Sequence, residues 1–134
     1  MQIDLATVVD LQQLVELDHH VSPAIIEQKI ARGEIIVARD ADVVVGWLRW
    51  GYFWDMIPFM NLLGVRAPLR GQGIGTRIVA FWEAHLRAQG YTEVLTSTQA
   101  DERGQFLYRK LGYQDVGALI FPGEPLEVIL KKIL

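Results

Sequence analysis

The stretch LRGQGIGTR (69–77) sets three glycines into five positions, with an arginine to either side. Glycine loses more backbone freedom on folding than any other residue, so such a cluster marks a place where bare backbone is required. The segment before it, PFMNLLGV (58–65), reads as a strand. After it, Ile74, Ile78, Phe81, Trp82, His85 and Leu86 recur at helical spacing until Gly90 ends the run. A further strand, YTEVLTST (91–98), follows the helix. Strand, glycine loop, helix and strand in that order predict a parallel crossover, and with it a sheet that carries helices.

The flanking segments fill in the rest. Residues 7–18 are expected to form a helix, with Thr7 and Asp10 as a capping pair and Val8, Leu11, Leu14 and Val15 on one face. SPAIIEQKIARG (22–33) reads as a second helix: Ser22 caps it, Pro23 suits the first helical position and Gly33 follows its end. Residues 34–54 are two β-rich runs joined by the turn Asp40-Ala41-Asp42, an antiparallel hairpin. Residues 101–111 are expected as a short helix stopped by Gly112. The strands YQDVGALIF (113–121) and LEVILKKIL (126–134) close the chain, with a turn between them. The expected architecture is α/β (α+β): a mixed, mostly antiparallel sheet with a central parallel strand–helix–strand unit and helices on both faces. At 134 residues, one domain spanning 1–134 is expected.

Composition narrows the function classes. Absence of cysteine excludes disulfides, thiol nucleophiles and cysteine metal sites. The histidines His19, His20 and His85 have no metal-binding spacing, and no metal is expected. No apolar run approaches the roughly 20 residues of a membrane span, so no membrane partner is expected. The first residues carry an acid at Asp4 and neither a basic start nor an apolar signal core, which predicts a cytoplasmic protein. Net charge is −3, without a basic block, and nucleic acid is not an expected partner.

Between a strand and a helix, Gly71, Gly73 and Gly75 favour anion binding, because free amides and the positive helix end point into such a loop. Arg70 and Arg77 can add charge-assisted bonds at its rim. There is no Gly-Lys-Ser/Thr ending, and the spacing is G-x-G-x-G rather than G-x-G-x-x-G. On spacing alone, a phosphate-binding loop and a ligand-free tight turn are both open.

Arg70-Gly71-Gln72-Gly73-Ile74-Gly75 matches the pattern Gln/Arg-x-x-Gly-x-Gly/Ala, and QFLYRKLGYQDVG (105–117) contains a second segment of the type Phe/Leu-Tyr-x-Lys-x-Gly-Phe/Tyr. In this order, separated by a helix and a strand, they resemble the GNAT superfamily of acyl-CoA-dependent N-acetyltransferases. The resemblance implies acetyl-CoA as co-substrate, with its pyrophosphate on the backbone amides of Gln72, Gly73, Ile74, Gly75 and Thr76 and their neighbours Arg70 and Gly71. It implies that Leu63, Gly64 and Val65 pair with the pantetheine arm as an added strand would. A backbone amide near Gly64 or Val65 would then polarise the acetyl carbonyl. Tyr108 takes the place of the tyrosine that protonates the departing thiolate. Asp101 stands where many members have asparagine, and Gly104 where alanine is common.

The acceptor is expected to be a primary amine of a small molecule or peptide. Asp55 is the preferred carboxylate for removing its proton; Glu102, Glu124 and ordered water are alternatives, as is a merely solvated Asp55. The aromatics Trp47, Trp50, Tyr52, Phe53, Trp54 and Phe59 suit strand faces packed into a core. Trp50 and Trp54 are expected among possible substrate walls, and Asn61 as a hydrogen-bonding contact to the acceptor. The apolar final strand offers an edge that a homodimer would cover. A non-catalytic acyl-CoA-sensing module and a nucleotide-binding regulatory domain are the rival readings.

Overall fold

In the computed structural model, which describes residues 1–134, seven strands share one sheet. They are β1 (Gln2–Leu5), β2 (Ile35–Asp40), β3 (Val43–Phe53), β4 (Ile57–Val65), β5 (Glu93–Gln99), β6 (Gln114–Leu119) and β7 (Glu127–Ile133). Four α-helices accompany them: α1 (Leu11–Leu17), α2 (Pro23–Ala31), α3 (Ile74–Ala88) and α4 (Gly104–Lys110). The hydrogen-bonded strand order is β1-β2-β3-β4-β5-β7-β6. β4 and β5, joined through the glycine loop and α3, run parallel, whereas β1–β2, β2–β3, β5–β7 and β6–β7 are antiparallel. The expected mixed sheet with its parallel crossover is therefore the observed one.

The chain forms two compact units, one of residues 1–50 with 62–82 and one of residues 51–61 with 83–134, and it passes between them inside β3, β4 and α3. In the first unit, Ala6, Leu14, Ile26, Ile35, Val37, Val44 and Trp47 form the apolar centre. Three buried or partly buried ion pairs accompany it. Asp10 pairs with Arg39, Asp18 with Arg49 at 2.8 Å, and Lys29 with Glu34 at 2.8 Å. Burial alone would raise the Asp10 carboxyl, but Arg39 and the Thr7 amide more than offset it and hold it below the usual range.

Two expectations for this unit change. The segment before residue 7 is a strand, β1, paired in register with β2 from Gln2↔Arg39 to Leu5↔Ile36. Four residues are too short for a periodic signal, and only the distant partner makes them a strand. The first helix also starts later than its pattern suggests. Thr7 N donates to Asp10 Oδ2 at 2.8 Å, as a capping pair should, but Val8–Asp10 is a 3-10 turn, Val8 is exposed and α1 begins at Leu11.

The second unit is built on β5, β7 and β6. Here the closing strand is not an edge. β7 lies between β5, from Glu93↔Ile133 to Gln99↔Glu127, and β6, from Gln114↔Lys131 to Leu119↔Glu127. The edge is β6, exposed at every residue. An apolar run with alternating lysines cannot show which flank pairs; that is set by the order in which distant strands return. Behind β7, Glu83 accepts from the Tyr113 hydroxyl and from Lys132 Nζ, each at 2.8 Å, which satisfies a buried carboxylate with two donors.

Candidate functional site

The glycine loop belongs to the first unit. β4 ends at Val65, Ala67–Leu69 makes a 3-10 turn, and Arg70 Nε donates back to the Val65 carbonyl at 3.0 Å. Gly71 and Gly73 have φ of +77° and +83°, and a Cβ on either would meet nothing within 4 Å. Their glycines are thus required by conformation, not by crowding. The first helical bond of α3 is Arg77 N to Gly73 O, at 3.1 Å. The backbone N–H groups of Gly71, Gln72, Gly73, Ile74, Gly75 and Thr76 have no acceptor within the chain. These amides stand at the positive end of a 15-residue helix, an arrangement that holds anions.

Packing fixes this loop from below. Ile74 and Ile78 are buried, and Gly46 on β3 leaves room for them: a Cβ there would fall 2.8 Å from Ile78 Cδ1 and 3.2 Å from both Ile74 Cγ2 and the Gly64 carbonyl oxygen. Gly64 on β4 carries the Trp47 indole, whose ring atoms would lie 2.5–2.8 Å from an added Cβ. Leu63, Gly64 and Val65 are half-buried, whereas Arg70 to Gly73, Thr76 and Arg77 are exposed.

Tyr108 belongs to the second unit, on α4, and is 7% exposed. Its hydroxyl donates to Met60 Sδ at 3.9 Å, and its ring tilts against Tyr113 at 5.8 Å between centroids. Met60 and Thr96 are register partners in the parallel β4–β5 pairing, which includes Phe59↔Leu95 and Met60↔Thr96. Thr96 Oγ1 donates to the Met60 carbonyl at 3.1 Å. Burial pushes the Tyr108 hydroxyl up to about 12; a hydrogen bond with Thr96 acts against that rise, and the charge of Glu102 adds to it. A phenol in this setting stays protonated at neutral pH and is suited to give a proton, not to take one. Nothing in the sequence marks Met60 or Thr96 as its neighbours, because their meeting depends on which strands pair.

Other expected positions fall differently. Trp50 is 1% exposed and packs edge to face on Trp82, with centroids 6.3 Å apart; it is a core residue and not a substrate wall. Trp54 and Asp55 form the exposed β3–β4 turn, both with positive φ, at +54° and +58°. Asn61 is exposed on β4. Asp101 is not on a helix, because α4 starts only at Gly104; it lies in an exposed turn braced by Gln105 Nε2, which donates to the carbonyls of Ala100 and Glu102 at 2.7 and 2.9 Å. The helix begins late because a tight turn leaves β5 first: Glu102 N donates to the Gln99 carbonyl at 3.0 Å, and Ala100 N to that of Leu126 at 2.7 Å. No group of three or more His, Asp or Glu side chains could hold a metal ion, and no helix is long and apolar enough to cross a membrane.

Fold and loop together define a class: a mixed α/β protein whose parallel crossover presents a run of unpaired amides at a helix amino terminus. Residues 31–115, more than half of the chain, match the family model of the GNAT acetyltransferase domain, and the chain belongs to that family. No curated protein sequence matches it. Among solved structures it is similar to Ard1 from Thermoplasma volcanium, at 16% identity over 99% of this chain and 97% of that one, with a TM-score of 0.87. It is similar also to a ribosomal-protein-alanine N-acetyltransferase from Brucella melitensis, at 20% identity over 100% of both chains and a TM-score of 0.85. An aminoglycoside 6'-N-acetyltransferase solved with coenzyme A shares 20% identity over 99% of this chain and 97% of its own, with a TM-score of 0.84.

Proposed function

We propose that this acetyltransferase, acting as one domain over residues 1–134, moves an acetyl group from acetyl-CoA to a primary amine of a small molecule or peptide by direct attack. The observation that carries the reading is the run of six amides, Gly71 to Thr76, with no acceptor of their own. They fit a pyrophosphate, and the exposed Arg70 and Arg77 add charge beside them. The solved relative that holds coenzyme A supports the same ligand here. That relative and the ribosomal-protein-alanine enzyme bear names for a small-molecule and a peptide amine, and both acceptor types stay within the proposal.

Acetyl-CoA supplies the activated thioester when bound. The half-buried backbone of Leu63, Gly64 and Val65 pairs with its pantetheine arm, and an amide at Gly64 or Val65 polarises the acetyl carbonyl. Tyr108 gives its proton to the departing sulfur. An alkylamine has a pKa near ~10.4, so the acceptor must first lose a proton, to Asp55 or directly to water. Asp55→Asn separates these routes: a rate loss that recovers as pH rises assigns the proton to Asp55, and an unchanged rate assigns it to water. Asn61 and Trp54, both exposed, are the proposed acceptor contacts, and Asp101 contributes at the cofactor side.

Calorimetric titration with CoA, acetyl-CoA and ATP, followed by thiol release from acetyl-CoA across a panel of amines, tests the reading. CoA binding with amine-dependent thiol release is expected. CoA binding without release with any amine would make the chain an acyl-CoA sensor, and ATP binding in place of CoA would reject the ligand.

A further inference from the structure

The mechanism proposed above leaves a problem at Tyr108: once its proton has gone, a phenolate is stranded in a buried place. The side chains around the oxygen are few. Met60 Sδ, at 3.9 Å, is a weak acceptor and no donor. The Tyr113 ring lies to one side, and its own hydroxyl proton is committed to Glu83. The Glu102 carboxylate acts on the site only through its negative charge, which opposes a phenolate. Thr96 can donate to the Tyr108 oxygen. It is 1% exposed and fixed as the register partner of Met60, and its hydroxyl neighbours the Tyr108 oxygen.

A hydroxyl carries one proton and can direct it to one acceptor at a time. With Tyr108 neutral, the Thr96 proton goes to the Met60 carbonyl oxygen, at 3.1 Å. The Tyr108 proton meanwhile rests on a thioether, which holds it loosely. Neither arrangement stabilises the phenolate that release leaves behind, and burial opposes its formation.

We infer that Thr96 is a positioning residue for Tyr108, whose hydroxyl swings from the Met60 carbonyl to the Tyr108 oxygen as that oxygen gives up its proton. The inference rests on Tyr108 as the acid. In the step, the acceptor nitrogen forms its bond to the acetyl carbon, the carbon–sulfur bond breaks with its electron pair on sulfur, and the Tyr108 proton goes to that sulfur. The proton lost from the acceptor nitrogen to solvent is matched by one that returns to Tyr108, after which the Thr96 hydroxyl turns back to Met60. The swing is a torsion about the Thr96 Cβ–Oγ1 bond.

Thr96→Val keeps the shape and removes the donor, while Thr96→Ser restores it. Thr96→Val is expected to lower kcat by about 10-fold or more with KM for acetyl-CoA unchanged, and Thr96→Ser to recover most of the loss. In a Tyr108→Phe background, Thr96→Val should cost nothing further. Independently of turnover, protein labelled with 3-fluorotyrosine, its Tyr108 signal assigned through Tyr108→Phe, should show by 19F NMR a titration midpoint about one pH unit higher in Thr96→Val than in wild type. An equal loss in both backgrounds, or an unmoved midpoint, overturns the inference while leaving Tyr108 as the acid. Full turnover by Tyr108→Phe overturns both.

Discussion

The glycine loop and the surroundings of Tyr108 are built in opposite ways, as the binding and the proton transfer proposed for them require. The loop is exposed, made of backbone, and left with donors that nothing in the chain satisfies. The Tyr108 site is buried and made of side chains, and the hydroxyl donates only to a thioether, at 3.9 Å. A loop that must take up a large anion needs amides open to solvent until the anion arrives. An acid must hold its proton at neutral pH, and burial does this by penalising the charged form. Openness serves one and exclusion of water the other.

The largest expected effect tests the closed region. Tyr108→Phe keeps the ring and removes the acid, and should lower kcat by ~10²–10⁴-fold with little change in KM for acetyl-CoA. In wild type, steady-state rates should show no loss traceable to Tyr108 until pH nears about 12, since the proton is held up to there. The same shift has a stability consequence. Its folded value lies above the ordinary value of 10.0, so the unfolded chain ionises first as pH rises. Stability linked to Tyr108 is complete below pH 10 and is lost between pH 10 and about 12; denaturant titration of wild type against Tyr108→Phe in that window should show the difference.

The open region should respond in the complementary way. Gly73→Ala has space for its methyl group but must hold φ of +83°, at a cost of about 1–2 kcal/mol. Calorimetry should show CoA affinity weakened by about 10-fold, with kcat at saturation near that of wild type. Gly46→Ala acts on the same loop by crowding. It presses on Ile78 and Ile74 beneath the start of α3 and should cost about 1–3 kcal/mol in denaturant melts. Adding Ile78→Val, which removes the crowded Cδ1, should return part of that loss; no recovery would show that the backbone contact with Gly64 decides the cost. The smallest effect separates the regions by charge. Raising ionic strength from roughly 0.05 to 0.5 M should weaken CoA binding severalfold through Arg70 and Arg77, and leave kcat unchanged because Tyr108 is shielded from ions.

These differences also explain what could be read without a structure. The loop was legible because its requirement is local: positive φ at Gly71 and Gly73 needs glycine whatever lies nearby, and the helix after it announces itself by periodicity. The hairpin turn at Asp40 to Asp42 and the Ser22-Pro23 start of α2 were legible for the same reason. Trp50 was not, since an aromatic on a strand has the same spacing whether its face meets solvent or Trp82. Asp101, expected on a helix that begins only three residues later, was not legible either, because the turn that holds it is anchored far along the chain, by Ala100 N donating to the Leu126 carbonyl.

By itself, then, the sequence determined the order strand, glycine loop, helix and strand, the loop with its free amides, and the tyrosine on a short helix near the end, each element set by neighbours within a few residues. Tertiary structure alone decided that β1 exists, that β7 lies inside the sheet and β6 at its edge, and that Tyr108 rests on Met60 and Thr96. The reason is physical. Backbone dihedrals and helical period are short-range properties of the chain, whereas the pairing of distant strands, and the water it excludes around one hydroxyl, exist only once the sheet is assembled.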